Sequence, residues 1–90
     1  MEKSQLQQLK AQAHHLKPIV MIGAKGLTSA VIEETNVALT AHELIKVKVS
    51  GAEKEDKVEL VHTLCHEVEA ELIQIIGHTA IIYRQNTDQS

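Results

Sequence analysis

Ile19-Val20-Met21-Ile22-Gly23-Ala24-Lys25-Gly26-Leu27-Thr28 packs a strand, a turn and a helix start into one uninterrupted stretch. Its front, Ile19 to Ile22, is an apolar run with no polar member, the pattern of a short strand buried on both faces. Gly23 then breaks it. Thr28 stands just ahead of a helical stretch, where its hydroxyl can accept from a backbone N–H of the first turn. The glycines at either end of the turn can enter positive φ at little steric cost and let the backbone come close to a ligand. The amides that open the following helix point outward, and Lys25 adds a full charge in the middle of the turn, so a phosphate would find a cradle there. Two glycines three apart also occur at strand-to-helix turns for steric reasons alone. The longer G-x-G-x-x-G and G-x-x-x-x-G-K-[ST] patterns of dinucleotide and triphosphate sites do not occur in the chain.

Upstream, Ser4 is placed to cap a helix whose Leu6, Leu9, Ala13 and Leu16 recur at helical spacing and which Pro18 ends. Lys10, His14 and Lys17, extended by Lys3, fall on one stripe about 60° wide beside that apolar face. Downstream, the helix capped by Thr28 runs to about Ala41. It sets Leu27, Ala30, Val31, Ala38 and Ala41 on one face and Ser29, Glu33, Asn36 and Thr40 on the other. Leu44 to Ser50 alternates: Ile45, Val47 and Val49 point one way, Leu44, Lys46 and Lys48 the other, so one side of this strand is largely polar. Gly51 breaks it. A third helix over about Lys54 to Glu69 has Val58, Val61, Leu64, Cys65 and Val68 as its buried stripe. Leu72 to Ile76 and Thr79 to Tyr83 are β-branched runs separated by Gly77-His78, a two-residue hairpin turn of the Gly-X kind.

The predicted order is α-β-α-β-α-β-β. Strand-helix-strand alternation implies right-handed crossovers with parallel neighbours, and the closing hairpin adds an antiparallel strand. The fold class is therefore α/β, with a four-stranded mixed sheet packed by helices into two or three layers. Residues 1–90 form one domain, of which 85–90 read as a frayed tail.

Composition narrows the chemistry. The 90 residues suffice for one core. The chain has no Trp or Phe, so its 43% apolar content is aliphatic, with Tyr83 the one aromatic. Recognition that relies on stacking bases against aromatic rings is thereby excluded, and any nucleic acid would be read by backbone and shape. A lone Cys65 and the absence of a signal-like or membrane-spanning apolar run place the expected protein in the cytoplasm, away from membranes. Net charge is −3, but it is divided. Residues 1–28 carry Lys3, Lys10, Lys17 and Lys25 against Glu2, a net +3. Residues 50–72 carry Glu53, Glu55, Asp56, Glu59, Glu67, Glu69 and Glu71 against Lys54 and Lys57, a net −5. A one-faced polyanion binder has this asymmetry, and so does a small acidic protein whose charges segregate by chance.

Neither metal nor catalysis is expected. His62 and His66 share a helical face, but a metal site needs a third and usually a fourth ligand, and no Cys-x-x-Cys or His-Glu-x-x-His pattern supplies them. The acidic residues fall at surface spacings on the third helix, without a nucleophile and base or a convergent carboxylate pair. No enzyme activity, cofactor or small-molecule substrate follows.

Four blocks together resemble a known family. They are Ala13-His14-His15-Leu16-Lys17-Pro18, Ile22-Gly23-Ala24-Lys25-Gly26-Leu27-Thr28, His42-Glu43-Leu44-Ile45-Lys46-Val47-Lys48-Val49, and Ile76-Gly77-His78 with Tyr83-Arg84. In register over nearly the whole chain they look like the CRM domain, in its stand-alone bacterial, YhbY-like form. The resemblance implies a fold similar to the carboxyl-terminal domain of bacterial translation initiation factor three. It further implies association with ribosomal RNA in large-subunit precursors, as an assembly factor, with ribosomal proteins as further partners. The RNA surface it implies is the GxxG loop, Gly23, Ala24, Lys25 and Gly26 with Thr28, joined by Lys10, His14 and Lys17, with Lys46 and Lys48 as additions. Many relatives have a basic residue where this chain has Ala24, and many have a Pro-containing or basic tail where it has Gln85-Asn86-Thr87-Asp88, so the electrostatic contribution is smaller and the affinity salt-dependent. The rival class is a protein-interaction module in which the acidic third helix docks a basic ribosomal protein.

Overall fold

The computed structural model describes residues 2–50 and 54–86. Its elements are α1 (Lys3–Ala13), β1 (Pro18–Ile22), α2 (Ser29–His42), β2 (Leu44–Val49), α3 (Lys54–Val68), β3 (Glu71–Ile76) and β4 (Thr79–Tyr83). The strands form one sheet in the order β1-β2-β4-β3. β1 and β2 are parallel neighbours and the sheet is mixed, as expected, but β4 lies antiparallel between β2 and β3, so the strands joined by α3 are not the neighbours that the alternation implied. Gly77 opens the hairpin turn at φ +58, the positive value that a Gly-X turn needs.

The alternation in β2 divides the core in two. Ile45, Val47 and Val49 join Val20, Ile22, Ala80 and Ile82 against α2 and α3, whose Leu39, Val61, Leu64, Cys65 and Val68 complete that side. On the opposite face α1 alone covers the sheet, packing Leu9 and Ala13 on Leu44, Ile73 and Ile81, with Leu6 and Tyr83 at the margin. The result is three layers.

Several local expectations are corrected. Helix α1 begins at Lys3 with Glu2 as its N-cap and no side-chain cap, so Ser4 lies inside the first turn. It also stops at Ala13, well short of Pro18. His14 and Leu16 close the helix in a tightened last turn, Leu16 N–H donating to Ala13 O at 2.9 Å, and Pro18 disfavours the helical region for Lys17, so the chain leaves the helix there. Leu16 and Lys17 are therefore not on the helix. Strand β1 is not buried on both faces: Ile19 is 48% and Met21 57% exposed, since β1 is a sheet edge that α1 does not reach. In α2 the buried residues are Thr35 and Leu39, with Ala30 and Ala41 exposed. Thr35 tolerates burial because its hydroxyl donates to Val31 O at 2.7 Å. On α3 Val58 is only half-buried, whereas Lys57 is 7% exposed. Its ammonium donates to Gly77 O at 2.7 Å and lies 3.4 Å from His78 Nδ1, tying α3 to the hairpin turn. The tail expected to fray from Gln85 is held at Asn86, whose side chain donates to Leu39 O and Thr40 O and whose N–H donates to Glu43 Oε2. Residues 87–90 lie outside the described residues.

Arg84 is the chief polar tie at the far end of the sheet. One guanidinium nitrogen donates to Asn36 Oδ1 at 2.8 Å and Val68 O at 2.9 Å, the other to Asn36 O at 3.1 Å and Thr40 Oγ1 at 3.0 Å. It satisfies a terminal carbonyl of α3 while bridging α2 and β4. Arg84→Ala should lower unfolding stability by about 2 kcal/mol, and Arg84→Lys should recover little of it, because an ammonium cannot reproduce the fork. Urea titration followed by circular dichroism measures both. Burial pushes the Cys65 thiol up from 9.0 to about 11. Its thiolate is thus disfavoured in the folded state, and the stability this contributes is present below pH 9 and lost as pH rises towards 11. Alkylation of native protein at pH 8 should be slow and should accelerate sharply on unfolding in guanidinium chloride.

Candidate nucleic-acid interface

The turn after β1 is closed by Gly26 N–H donating to Gly23 O at 3.0 Å, which leaves Ala24 and Lys25 at the exposed corner. Only one of the bracketing glycines uses positive φ: Gly26 sits at +73, and Gly23 does not. A Cβ built on Gly23 would meet nothing within 4 Å, so the fold itself has room for a side chain there. Thr28 caps α2 as expected, its Oγ1 accepting from Val31 N–H at 3.2 Å. The first turn of α2 holds no acidic residue, so its outward amides meet no competing carboxylate within that turn. The base of the turn is fixed to β2, where Ser50 N–H donates to Ile22 O at 2.9 Å. Val49 N–H likewise donates to His78 O at 2.7 Å, which brings the Gly77-His78 turn to the same end of the sheet.

The other candidate residues are not gathered at that point. Lys17 and Lys25 stand at opposite ends of β1, about 16 Å of strand apart at about 3.3 Å per residue. Lys10, half-buried on α1, and exposed His14 lie with Lys17 at the end where α1 finishes. The expected helical stripe through Lys17 does not exist, because the helix ends at Ala13 and His14 turns its ring edge-on to His15, with centroids 5.6 Å apart. Between the two ends run Lys46 and Lys48, on the α1 face of β2. Lys48 is exposed, whereas Lys46 is half-buried and donates from Nζ to Leu16 O at 2.9 Å, so its ammonium pins the α1–β1 connection.

The exposed acids Glu55, Asp56, Glu59 and Glu67 belong to α3, which packs on the sheet face opposite Lys46 and Lys48. His62 and His66 are exposed one turn apart on α3 with Cys65 buried beside them, and no group of three His, Cys, Asp or Glu able to hold a metal occurs among the described residues. Among those residues no helix is long and apolar enough to cross a membrane. Sequence reasoning missed Met21 as an exposed neighbour of these lysines. The signal was Pro18 at the head of the run, since proline in a strand favours a sheet edge.

The family model for the CRS1/YhbY (CRM) domain matches residues 1–84, which contain the turn, all the lysines named above and every element of the sheet. The chain belongs to the CRM family. A Haemophilus influenzae protein named as an RNA-binding protein is 46% identical over 84 residues, covering 93% of this chain and 85% of the relative. A Pseudomonas aeruginosa protein named as a probable RNA-binding protein is 43% identical over the same length, covering 93% of this chain and 81% of that relative. The solution structure of a hypothetical Staphylococcus aureus protein, described as an RNA-binding candidate, superposes with a TM-score of 0.85 at 34% identity, covering 100% of this chain and 94% of its own.

The two glycines of this CRM turn should respond differently to alanine. Gly26→Ala forces a side chain into the left-handed region and should cost about 1–2 kcal/mol of stability. Gly23→Ala should leave the urea midpoint nearly unchanged, and any loss of ligand affinity it causes would then report close approach to the backbone of the turn.

Proposed function

We propose that this CRM protein binds RNA by its phosphate backbone, with the Gly23–Gly26 turn and the first amides of α2 as the principal contact. Lys25 supplies the charge, Thr28 orders the amides, and Ala24 leaves the corner low enough for a sugar-phosphate chain to approach. The observation that carries this reading is the exposed, acid-free turn at a helix start in a chain whose relatives are named as RNA-binding proteins. Lys48 extends the contact along the sheet, and Lys10, His14 and Lys17 extend it to the other end of β1. Lys46 contributes charge while it holds Leu16 O. The RNA that the family resemblance implies is ribosomal RNA in precursors of the large subunit, where the protein would act in the cytoplasm by binding during assembly, without a catalytic step. Contacts with ribosomal proteins belong to the same setting.

Filter binding to ribosomal RNA across a range of salt tests the contact directly. Lys25→Ala should reduce the slope of log affinity against log salt by about 1, one phosphate contact being lost. An unchanged slope would overturn the role of the turn. Co-sedimentation of the protein with large-subunit precursors rather than mature subunits is the expected result for the narrower reading.

A further inference from the structure

Four side chains form a row across the α1 face of the sheet, at the end next to the Gly23–Gly26 turn. Met21 is in register with Lys48, Lys48 with Thr79, and Thr79 with Ile76. Residues in register on neighbouring strands project from the same face. Here that face is the one bearing Leu44 and Ile81, which α1 covers further down. The row itself is uncovered. Met21 and Ile76 are each 57% exposed, Lys48 is exposed, and Thr79 is half-buried. Ile19, on the same face of β1, is 48% exposed. α1 has 11 residues and a length of about 16 Å, and it lies over Leu44, Ile73 and Ile81.

Large aliphatic side chains left on a sheet face do nothing for the core, and a cluster of them marks a contact surface. The lysine set among them decides what it contacts. An unpaired nucleotide pairs a flat apolar base with a phosphate a few ångströms away, which matches the aliphatic side chains of Met21 and Ile19 set beside the Lys48 ammonium. A duplex offers no such match, because its bases are stacked inside and it presents only phosphates and groove edges. The row also continues into the proposed phosphate site at the turn, so one strand can occupy both.

We infer that Met21, Lys48, Thr79 and Ile76 form a platform for unpaired nucleotides, so that the protein selects single-stranded or looped RNA whose backbone enters at the Gly23–Gly26 turn. The inference rests on the RNA-binding reading above and deepens it. With no ring on the platform, bases are held by isoleucine and the polarizable thioether of Met21, an adaptable surface that accepts any base.

The test compares, by fluorescence anisotropy, a short single-stranded oligoribonucleotide with an abasic strand of equal length and with a duplex. Wild-type protein should bind the strand with bases about tenfold more tightly than the abasic strand, the order expected when roughly 50–60 Å² of aliphatic surface is covered by bases. Met21→Ser/Ile76→Ser should bring the two affinities together while leaving the salt slope unchanged, since no charge is removed. The single substitutions are measured alongside, with circular dichroism, so that a folding defect in the pair does not decide the result. Equal wild-type affinity for duplex and single strand, or a base preference that survives the double substitution, would overturn the platform. So would a concentration-dependent dimer that the substitution dissociates, which would make the row a self-association face. If Lys25→Ala lowers the salt slope while Met21 and Ile76 prove neutral, the platform falls and the phosphate contact at the turn stands.

Discussion

Strand β2 carries the constraint on which the remaining geometry depends. It is the one strand that pairs in parallel on one side and antiparallel on the other, and its strict alternation feeds both cores at once. Ile45, Val47 and Val49 must face α2 and α3, because only there are two helices available to bury them. Period-two geometry then sends Leu44, Lys46 and Lys48 to the opposite face whatever their polarity. Leu44 is covered by α1, Lys46 reaches sideways to Leu16 O, and Lys48 is left in the open. The basic surface is thus a by-product of how the core is divided: a one-residue slip of β2 would bury both lysines and expose three valine or isoleucine side chains.

The end of the sheet that bears the turn is tied together by hydrogen bonds. Ser50 holds Ile22 O, Val49 holds His78 O, and the buried Lys57 reaches Gly77 O. Two reversals of the chain, one before α2 and one between β3 and β4, are thereby locked to the same two strands. If RNA enters at the Gly23–Gly26 turn as proposed, it meets amides that need little ordering, which lowers the entropic cost of binding. Arg84 and Asn86 perform the matching task at the opposite end, where the carboxyl ends of α2 and α3 would otherwise leave carbonyls unpaired.

Element order, sheet type and the Thr28 cap were legible because each rests on a strong local signal: a period of two or 3.6, a hydroxyl before a helix, a glycine at a reversal. What escaped was set by tertiary placement. Ile19 to Ile22 reads as buried because every residue is apolar, yet burial of Ile19 and Met21 depended on where α1 would land; Pro18 signals a sheet edge but not which face the helix leaves open. Thr35 was assigned to neither face of α2, because its hydroxyl bond to Val31 O is invisible in a pattern of polarity. The stripe Lys10, His14, Lys17 assumed a helix continuing to Pro18. The tightened turn at His14 to Leu16 removed Lys17 from it, so the site residues legible in the sequence are distributed along β1 rather than concentrated at one point.

That distribution bears on how a chain of net charge −3 can hold a polyanion. The exposed acids of α3 and the lysines of β2 are separated by the sheet and a helix layer, roughly 10 Å each. Charges that far apart exceed the Debye length of about 8 Å at physiological salt, so repulsion from α3 is largely screened on the α1 face. Screening also weakens the attraction, and with few exposed lysines the phosphate contacts available are few. Electrostatics alone would then give a weak, rapidly reversed association, with a shallow salt slope because few counterions are released. An uncharged contribution is needed to hold the complex under those conditions. The open aliphatic side chains beside Lys48 can supply one, which is why the uncovered edge strand and the glycine turn are proposed as one site.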